Sequence, residues 1–565
     1  MPGSDLKVLG GADARAWIAQ ESNVASWEVL LQGCSWGTPF QSPVFAKCWL
    51  ANYADSWQPV LVIALDAEGR LQGLLPLAMQ AEEITGIGSV QAEYQGWLCT
   101  DQLLEQFPGR AINLLFEHYP NATLKLRYMD FGARSEQVRQ SLQQHPGVLL
   151  QNYERPLLKL DAEKLSASLK KKSNKSKWNR LKRLGELRFI VEEGAALDAA
   201  ALDDIIPLYD FRQGAVNGSC PFTEDSRKKP FHQQWMQSAP GQLLLFRLLL
   251  GDRTIGAMLG VVSGDQVSNA IMAHCPELAS HSPGKFVVYL AGQELSKRGY
   301  KWLDLTPGGD PWKDRFADTK DSVLALRAWG NPKVPARIVR REKQLALGKA
   351  ILQACGLRPS QVRKAWQPVA SLFSGAPTDK KSAPAPGACD RFFRISRERV
   401  ESVAPVNQQL VNSLRMNHLP DLLLFDCQGS RQQRSTFLAA ALARLERGQQ
   451  CFTAERDGGL MFCAWIAASG SAPQGNAPSA THRFSSPGRE IYDVVIQPAV
   501  CDQALLLQLL MTTMQQCVSQ DEASGDSNDG AEAFYLSVAT NNGAVLELAD
   551  ALNLPDCELV EGKTL

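Results

Sequence analysis

The groups best placed to do chemistry lie between His274 and Phe316, read as AHCPELASHSPGKFVVYLAGQELSKRGYKWLDLTPGGDPWKDRF from Ala273. A strand-like segment, Gln266 to Ala273, runs into a turn at Pro276. A small polar loop follows, Ser280-His281-Ser282-Pro283-Gly284-Lys285. Phe286, Tyr289, Leu290, Gln293 and Leu295 then recur at roughly helical period. A strand, a glycine-bearing loop and a helix start can turn backbone N–H groups toward a phosphate, and Lys285 adds positive charge there. A Pro-Gly pair ahead of a helix is also an ordinary turn. Gly299 stops the helix, Lys301–Leu305 reads as a short strand, and Gly308 and Gly309 open a further loop.

A second charged feature lies upstream. Between Asp161 and Arg183 the chain reads as one basic helix, SASLKKKSNKSKWNRLKRL. It holds Lys170, Lys171, Lys172, Lys175, Lys177, Arg180, Lys182 and Arg183 with no acidic residue among them, and Trp178, Leu181 and Leu184 supply an apolar side. Such a helix grips an anionic partner or is a solvated charged face.

The elements around these groups divide the chain. Residues 1–157 read as an α/β unit. Helical spacing covers Ala14 to Gln32, Pro43 suits a first helical turn after Ser42, and two apolar strands flank a turn at Asp66–Arg70. Within Gln91–Cys99, QAEYQGWLC is aromatic and polar, as either a cleft wall or a packed strand end would be. Residues 158–335 read as strand, helix ending near Gly214, loop, helix, a three-strand meander turning at Gly251-Asp252 and Gly264-Asp265, then loop, helix and strand. Residues 336–389 are a helical segment followed by a Pro/Ala/Ser/Lys linker, Ser374–Gly387. Residues 390–565 form another α/β unit, with polar insertions at 471–480 and 519–531 expected to be mobile.

Bulk properties exclude several classes. Lys+Arg and Asp+Glu are 59 each, so no net field draws the chain to nucleic acid or a membrane surface. The 13 cysteines include no C-x-x-C pair, which argues against a zinc site or a disulfide framework and fits a reducing cytoplasm. No apolar run reaches the length of a membrane span, and no secretory leader pattern opens the sequence. A cytoplasmic protein without metal or transmembrane segment is expected.

The central stretch resembles a GNAT-type, acetyltransferase-like family associated with bacterial cellulose and exopolysaccharide biosynthesis. Its D-P-x-x-x-x-x-S-P-G loop corresponds to Cys275-Pro276 followed by Ser282-Pro283-Gly284. Its D-x-x-x-G-x-x-x-Y-K element corresponds to Asp304, Gly308, Trp312 and Lys313. Cys275 stands for the family's acid and Trp312 for its tyrosine. With the first unit, the chain resembles a duplicated GNAT architecture like that of the Fem-type peptidyl transferases. The resemblance implies an α/β (α+β) fold of tandem GNAT-like units with mixed, mainly antiparallel sheets flanked by helices. It implies acetyl-CoA or another acyl-CoA as co-substrate, cradled by Ser282, Pro283, Gly284 and Lys285. Asp304, His274 and His281 become candidate proton acceptors, although Asp304 also reads as a strand-end carboxylate bonded to the glycine loop and His274 as a solvent-facing side chain. Tyr209, Arg212 and Phe222 fall where the family faces its substrate, and Lys171, Lys172 and Lys175 would meet an anionic sugar or amine acceptor. Acyl transfer in envelope or exopolysaccharide assembly is the function implied. A non-catalytic subunit of a glycan-synthesis complex is the alternative. The C-terminal unit resembles a further GNAT fold, but Gln497–Gln503 has no glycine where a phosphate loop is expected, so its role is structural or regulatory.

Overall fold

The computed structural model describes residues 5–331 except 144 and 146, and most of 333–340. C-terminally it describes 391–402, 413–426, 433–468, 482–483, 488–496, 503–524, 533–538, 542–551 and 560–561. The linker Ser374–Gly387, the insertion 471–480 and the stretch 497–502 lie outside the described residues. The chain forms two compact units. One holds residues up to 202, 225–272 and the segment from 284; the other holds 203–224, 273–283 and the C-terminal part.

In the first unit, strands β1 (Asp5–Gly10), β2 (Gln58–Leu65), β3 (Leu71–Gln80), β4 (Glu83–Gly86), β5 (Leu98–Cys99), β6 (Thr123–Met129) and β7 (Val148–Lys159) come from an N-terminal half. Strands β8 (Leu187–Glu193), β9 (Leu243–Leu250), β10 (Arg253–Ser263), β11 (Gln266–His274), β12 (Trp302–Asp304) and β13 (Thr319–Trp329) come from a second half. They make one sheet in the order β1-β2-β3-β4-β6-β13-β7-β12-β11-β10-β9-β8, with β5 beside β3. The halves interleave: β13 lies antiparallel between β6 and β7. Each half repeats one motif, an antiparallel meander whose last strand returns through a helix to a parallel neighbour. In the first, β4 and β6 are joined by the Phe107–His118 helix; in the second, β11 and β12 by the Pro283–Lys297 helix.

Local chemistry accounts for the elements. At the β2–β3 turn, Asp66 accepts hydrogen bonds from the Glu68 and Arg70 amides (3.1 and 2.8 Å), and Gly69 takes φ +79°. Ser42 caps the Pro43–Tyr53 helix by accepting from Phe45 N (3.2 Å). The basic segment expected as one helix is two, Ala162–Lys170 and Lys172–Leu184, broken at Lys171 (φ −53°, ψ 137°). Asn174 Nδ2 bonds Ser168 O at 2.6 Å, so a side chain satisfies a carbonyl the break exposes. The helix expected to stop near Gly214 runs through it, Ala201–Asn217. The polar loop expected at Ser280–Lys285 is a 3-10 turn, Pro276–His281, then Ser282 at φ 60°. The next helix starts at Pro283, whose fixed φ suits a first helical position, so Gly284 and Lys285 are helical.

In the C-terminal part, β14 (Arg391–Ser396), β15 (Arg415–Met416), β16 (Gln450–Arg456), β17 (Gly459–Ala468), β19 (Gly488–Ile496) and β20 (Ala533–Val538) form a sheet ordered β14-β20-β19-β17-β16-β15. A short β18 (His482–Arg483) pairs elsewhere. β19 and β20 are parallel and joined by the Gln503–Ser524 helix, a third instance of the motif. That helix runs into 519–524, part of the stretch expected to be a mobile insertion, because Leu506, Leu509, Leu510, Met514 and Cys517 seat it on the core. No helix among the described residues is long and apolar enough to cross a membrane.

An aromatic cluster fastens the two halves of the first unit. The Pro43–Tyr53 helix packs on the Lys228–Ser238 helix. Phe45 meets Trp235 and Phe231 edge-on, with centroids at 4.9 and 5.5 Å, and Phe40 lies 5.8 Å from Trp235. Asn52 donates to Gln234 (2.8 Å) and Tyr53 to Asp225 (2.8 Å). Trp235→Ala is expected to cost about 3–5 kcal/mol in chemical denaturation, and Val29→Ser, at an exposed position, within about 0.5 kcal/mol. A loss below about 1 kcal/mol for the tryptophan would show that the cluster does not fasten the halves.

Candidate functional site

The interleaved strands bring charge into the sheet. Arg155, on β7, is buried, and its guanidinium meets three carboxylates. Nε donates to Asp321 Oδ1 at 2.8 Å and Nη2 also bonds Asp321; Nη1 bonds Asp130 and stands 3.7 Å from Asp304 Oδ2. Burial works against its charge, but Asp321, Asp304 and Asp130 together outweigh burial and hold the group cationic. Asp304 ends β12 and is fully buried. Its Oδ1 accepts from Thr306 N at 2.7 Å and its Oδ2 from the hydroxyl of Tyr94, which is also buried. Desolvation pushes Asp304 up to about 6, against the opposing pull of Arg155, Tyr94 and the Thr306 amide. Burial, and then Asp304, hold the Tyr94 phenol well above its ordinary value.

The loop after Asp304 is strained and held. Thr306, β-branched, sits at φ +64°, an uncommon conformation for such a residue. Lys313, also buried, donates to Thr306 O (3.1 Å), Thr306 Oγ1 (3.3 Å) and Pro307 O (3.2 Å). Gly308 takes φ +130°, and a Cβ there would stand 3.4 Å from Lys313 Nζ. The Asp304…Gly308…Lys313 spacing is therefore a clamp on one turn.

Beside this turn, β11 and β12 pair only over Gln266–Ser268 and Trp302–Asp304, after which β12 ends and β11 continues to His274. Asn269, the first residue past the pairing, keeps a buried side-chain oxygen with no hydrogen-bond partner. The corresponding place in the N-terminal half is filled. There β4 pairs β6 over Glu83–Thr85, and Gln95 occupies the space beyond. Gln95 N donates to Arg127 O (3.2 Å), while Gln95 Oε1 accepts from Arg127 N (3.0 Å) and Thr85 Oγ1 (3.3 Å). Gln95 Nε2 donates to Ser89 O at 2.7 Å. Past Ser268, then, β12 no longer covers β11, whereas in the N-terminal half Gln95 fills the equivalent place.

Cations gather where the Pro283–Lys297 helix begins. Lys285 is held below the usual lysine range by partial burial and by the charges of Lys177, Lys171 and Arg315. Trp178 docks the basic helix through Phe286 (centroids 4.9 Å, edge-on). Like charges at a helix N-terminus repel one another unless an anion joins them. Lys172 and Lys175 are exposed on the same helix as Lys177.

The remaining expected residues fall in the second unit. His274, Arg212, Tyr209, Phe222, His281, Ser282 and Pro283 all belong to it. Burial, then Arg212, lowers His274 to about 4, so it is neutral at pH 7 and not a freely solvated side chain. Tyr209 lies edge-on to Phe222 at 5.8 Å. Asp304 and Lys171 through Lys175 are in the first unit, with Gly284 and Lys285.

Sequence reading missed Arg155, Tyr94 and Glu93. Arg155 carried little signal: it follows Gln151-Asn152-Tyr153-Glu154 and precedes Pro156, in a strand that reads half polar. Glu93 lies in the aromatic, polar stretch Gln91–Cys99, which read as either a cleft wall or a packed strand end. Its side chain is 22% exposed and 3.8 Å from Arg127. Desolvation raises its pKa despite Arg127, Lys313 and Lys228.

Comparison with known proteins places this region. Residues 168–314 match the family model described as an acetyltransferase (GNAT) domain. These residues, from the basic helix to Lys313–Asp314, are thus similar to an acetyltransferase domain of GNAT type, a class that takes acyl-CoA as co-substrate. No curated protein matches the chain. Among solved structures, FemX is 12% identical, with 54% of this chain and 95% of that one covered at a TM-score of 0.37. A tandem GNAT protein from the clavulanic acid biosynthesis pathway is 11% identical, covering 58% and 99% at 0.33. L-PGS from Bacillus licheniformis is 12% identical, covering 49% and 86% at 0.34.

Asp304 gives a pH signature. Its folded pKa of about 6 lies above the ordinary 3.8, so the folded chain holds the proton more tightly than the unfolded one. The resulting stability is complete below the ordinary value and declines as pH rises toward 6, by roughly 3 kcal/mol. Asp304→Asn should remove that decline in denaturation series between pH 4 and 7. A parent-like slope in the variant would assign the effect to other groups.

Proposed function

We propose that the chain transfers an acyl group from acyl-CoA, acetyl-CoA in the simplest case, to an anionic sugar or amine acceptor. The observation that carries this reading is the open strand edge beyond β11–β12 beside a helix start crowded with cations. An acyl-CoA offers a match to each part: pantetheine amides to pair with free strand backbone and Asn269, and a pyrophosphate to neutralise Lys285, Lys171, Lys177 and Arg315. Ser282, Pro283, Gly284 and Lys285 form the phosphate cradle on this reading. The filled edge in the N-terminal half supports one acyl-CoA per chain rather than two.

Transfer needs the thioester carbonyl polarised by a backbone N–H and the attacking group relieved of a proton. The backbone of β11 past Ser268 serves the first need. For the second, Asp304, His274 and His281 are the proposed acceptors, with Glu93 as a fourth. His274 is neutral at pH 7 and so able to take a proton. Asp304 has no exposed surface, which suits holding Tyr94 and the Thr306 turn better than touching substrate. Tyr209, Arg212 and Phe222 face the acceptor, and Lys171, Lys172 and Lys175 favour one bearing negative charge. A cytoplasmic enzyme of exopolysaccharide, cellulose or envelope glycan assembly, working with a glycan-synthesis complex, fits this chemistry.

Two measurements test it. Calorimetric titration with acetyl-CoA should give saturable binding that Gly284→Glu abolishes, because a carboxylate would occupy the place of the pyrophosphate. Unchanged affinity in that variant would remove the phosphate from this helix start. Replacing Lys171, Lys172 and Lys175 together with glutamine should weaken acceptor binding and flatten its loss between low salt and about 0.2 M. Parent-like transfer at every salt concentration would make these lysines a solvated face.

A further inference from the structure

Gly214 lies inside the Ala201–Asn217 helix, where glycine is a poor choice for helix stability. It has no positive φ to explain it; its neighbours do. A Cβ at 214 would stand 2.6 Å from Leu438 Cδ1 and 2.6 Å from Cys220 Sγ, closer than side chains tolerate. Leu438, buried, belongs to the Arg434–Glu446 helix of the C-terminal part, within the same compact unit.

The approach continues along both helices. A Cβ on Gly218, one turn on, would lie 3.7 Å from Ser435 Cβ. In the other direction, Arg212 Nη1 stands 4.0 Å from Glu446 Oε1. As the chain runs from 212 through 214 to Gly218, just past the helix end, its partner descends from 446 through 438 to 435, so the two helices run antiparallel at close range. The Arg434–Glu446 helix also packs on the 3-10 turn Pro276–His281. From the Ala201–Asn217 helix, Asp210 accepts hydrogen bonds from Phe222 N (3.0 Å), Thr223 N (2.7 Å) and Thr223 Oγ1 (2.8 Å). Phe222 is thereby fixed against Tyr209.

Tyr209, Arg212 and Phe222 are thus held in one frame with a helix of the C-terminal domain. We propose that this domain is a positioning element for acceptor recognition: Leu438 seats the acceptor-facing helix at Gly214, and Glu446 aims Arg212. The proposal rests on the reading of those three residues as acceptor-facing. It gives the domain a task in the reaction without a cofactor site of its own.

The test uses the full chain, with acetyl-CoA as donor probe and glucosamine 6-phosphate as anionic acceptor probe. Gly214→Ala should raise amide hydrogen exchange at least tenfold across 203–224, 273–283 and 434–446, with strands 243–263 unchanged. Adding Leu438→Ala, which removes the colliding methyl groups, should restore protection. Glu446→Gln should raise the KM for glucosamine 6-phosphate about three- to fivefold, as loss of a half-exposed ion pair allows, with kcat and the KM for acetyl-CoA unchanged within error; Glu446→Asp should recover part of it. Unaltered exchange in Gly214→Ala, or no rescue by Leu438→Ala, overturns the coupling. A fall in kcat with acceptor KM unchanged overturns the positioning role. Absence of acetyl-CoA binding by the parent would instead fail the acyltransferase reading, and the exchange data would still decide the coupling.

Discussion

A guanidinium inside a sheet must be neutralised, and in this chain the means of neutralising Arg155 dictates the architecture around it. Desolvating an arginine costs several kcal/mol unless carboxylates surround it. Its partners come from four places in the sequence: Asp130 follows β6, Asp304 ends β12, Asp321 lies on β13, and Tyr94 ties in through Asp304. They converge only if β13 enters between β6 and β7 and β12 lies on the far side of β7. Removing one partner would leave charge buried and unmatched, so the node enforces that strand order more strictly than apolar packing, which tolerates exchange of like-sized side chains. The strained Thr306 turn and the Lys313 clamp hang from the same point.

The two halves show how a repeated fold divides its labour. Both contain a meander, a crossover helix and a short parallel pair. A parting pair of parallel strands leaves backbone groups that must be satisfied. The first half satisfies them with Gln95. In the second, β12 stops pairing at Asp304, and the residue of β11 just past that point, Asn269, keeps a buried amide oxygen with no partner. Two similar partings of parallel strands thus differ by one side chain, which fills the first.

Much of this was legible in the sequence because it is local. Turn chemistry at Asp66–Arg70, capping at Ser42 and the strand–loop–helix order around Gly284 depend on neighbours a few residues apart. The expectation of tandem GNAT-like units came from the resemblance carried by Ser282–Gly284 and Asp304–Lys313, and the α/β elements in that order are what the structure holds. What depended on distant partners was not legible. Gly214 looked like a helix terminus because glycine near the end of an apolar-periodic run ordinarily is one; its reason lies more than two hundred residues away, at Leu438. Tyr94 was marked only as part of an aromatic stretch, and nothing in its surroundings announces a carboxylate at 304. The break at Lys171 was hidden by uniformly helical composition, since the side-chain bond from Asn174 that relieves it is a choice among several available to asparagine.

The insertion of β13 between β6 and β7 also bears on how the protein is made. During synthesis β6 and β7 emerge long before residues 319–329, so the N-terminal sheet stands open with exposed strand edges while the whole second half is being translated. Pairings of such separation close slowly, and at about 5–20 residues per second the interval lasts on the order of ten to forty seconds. The chain therefore passes through a nascent state in which its own N-terminal half is complete in sequence yet incomplete in structure. In that interval a chaperone, or a wrong strand from another chain, competes for the vacant place.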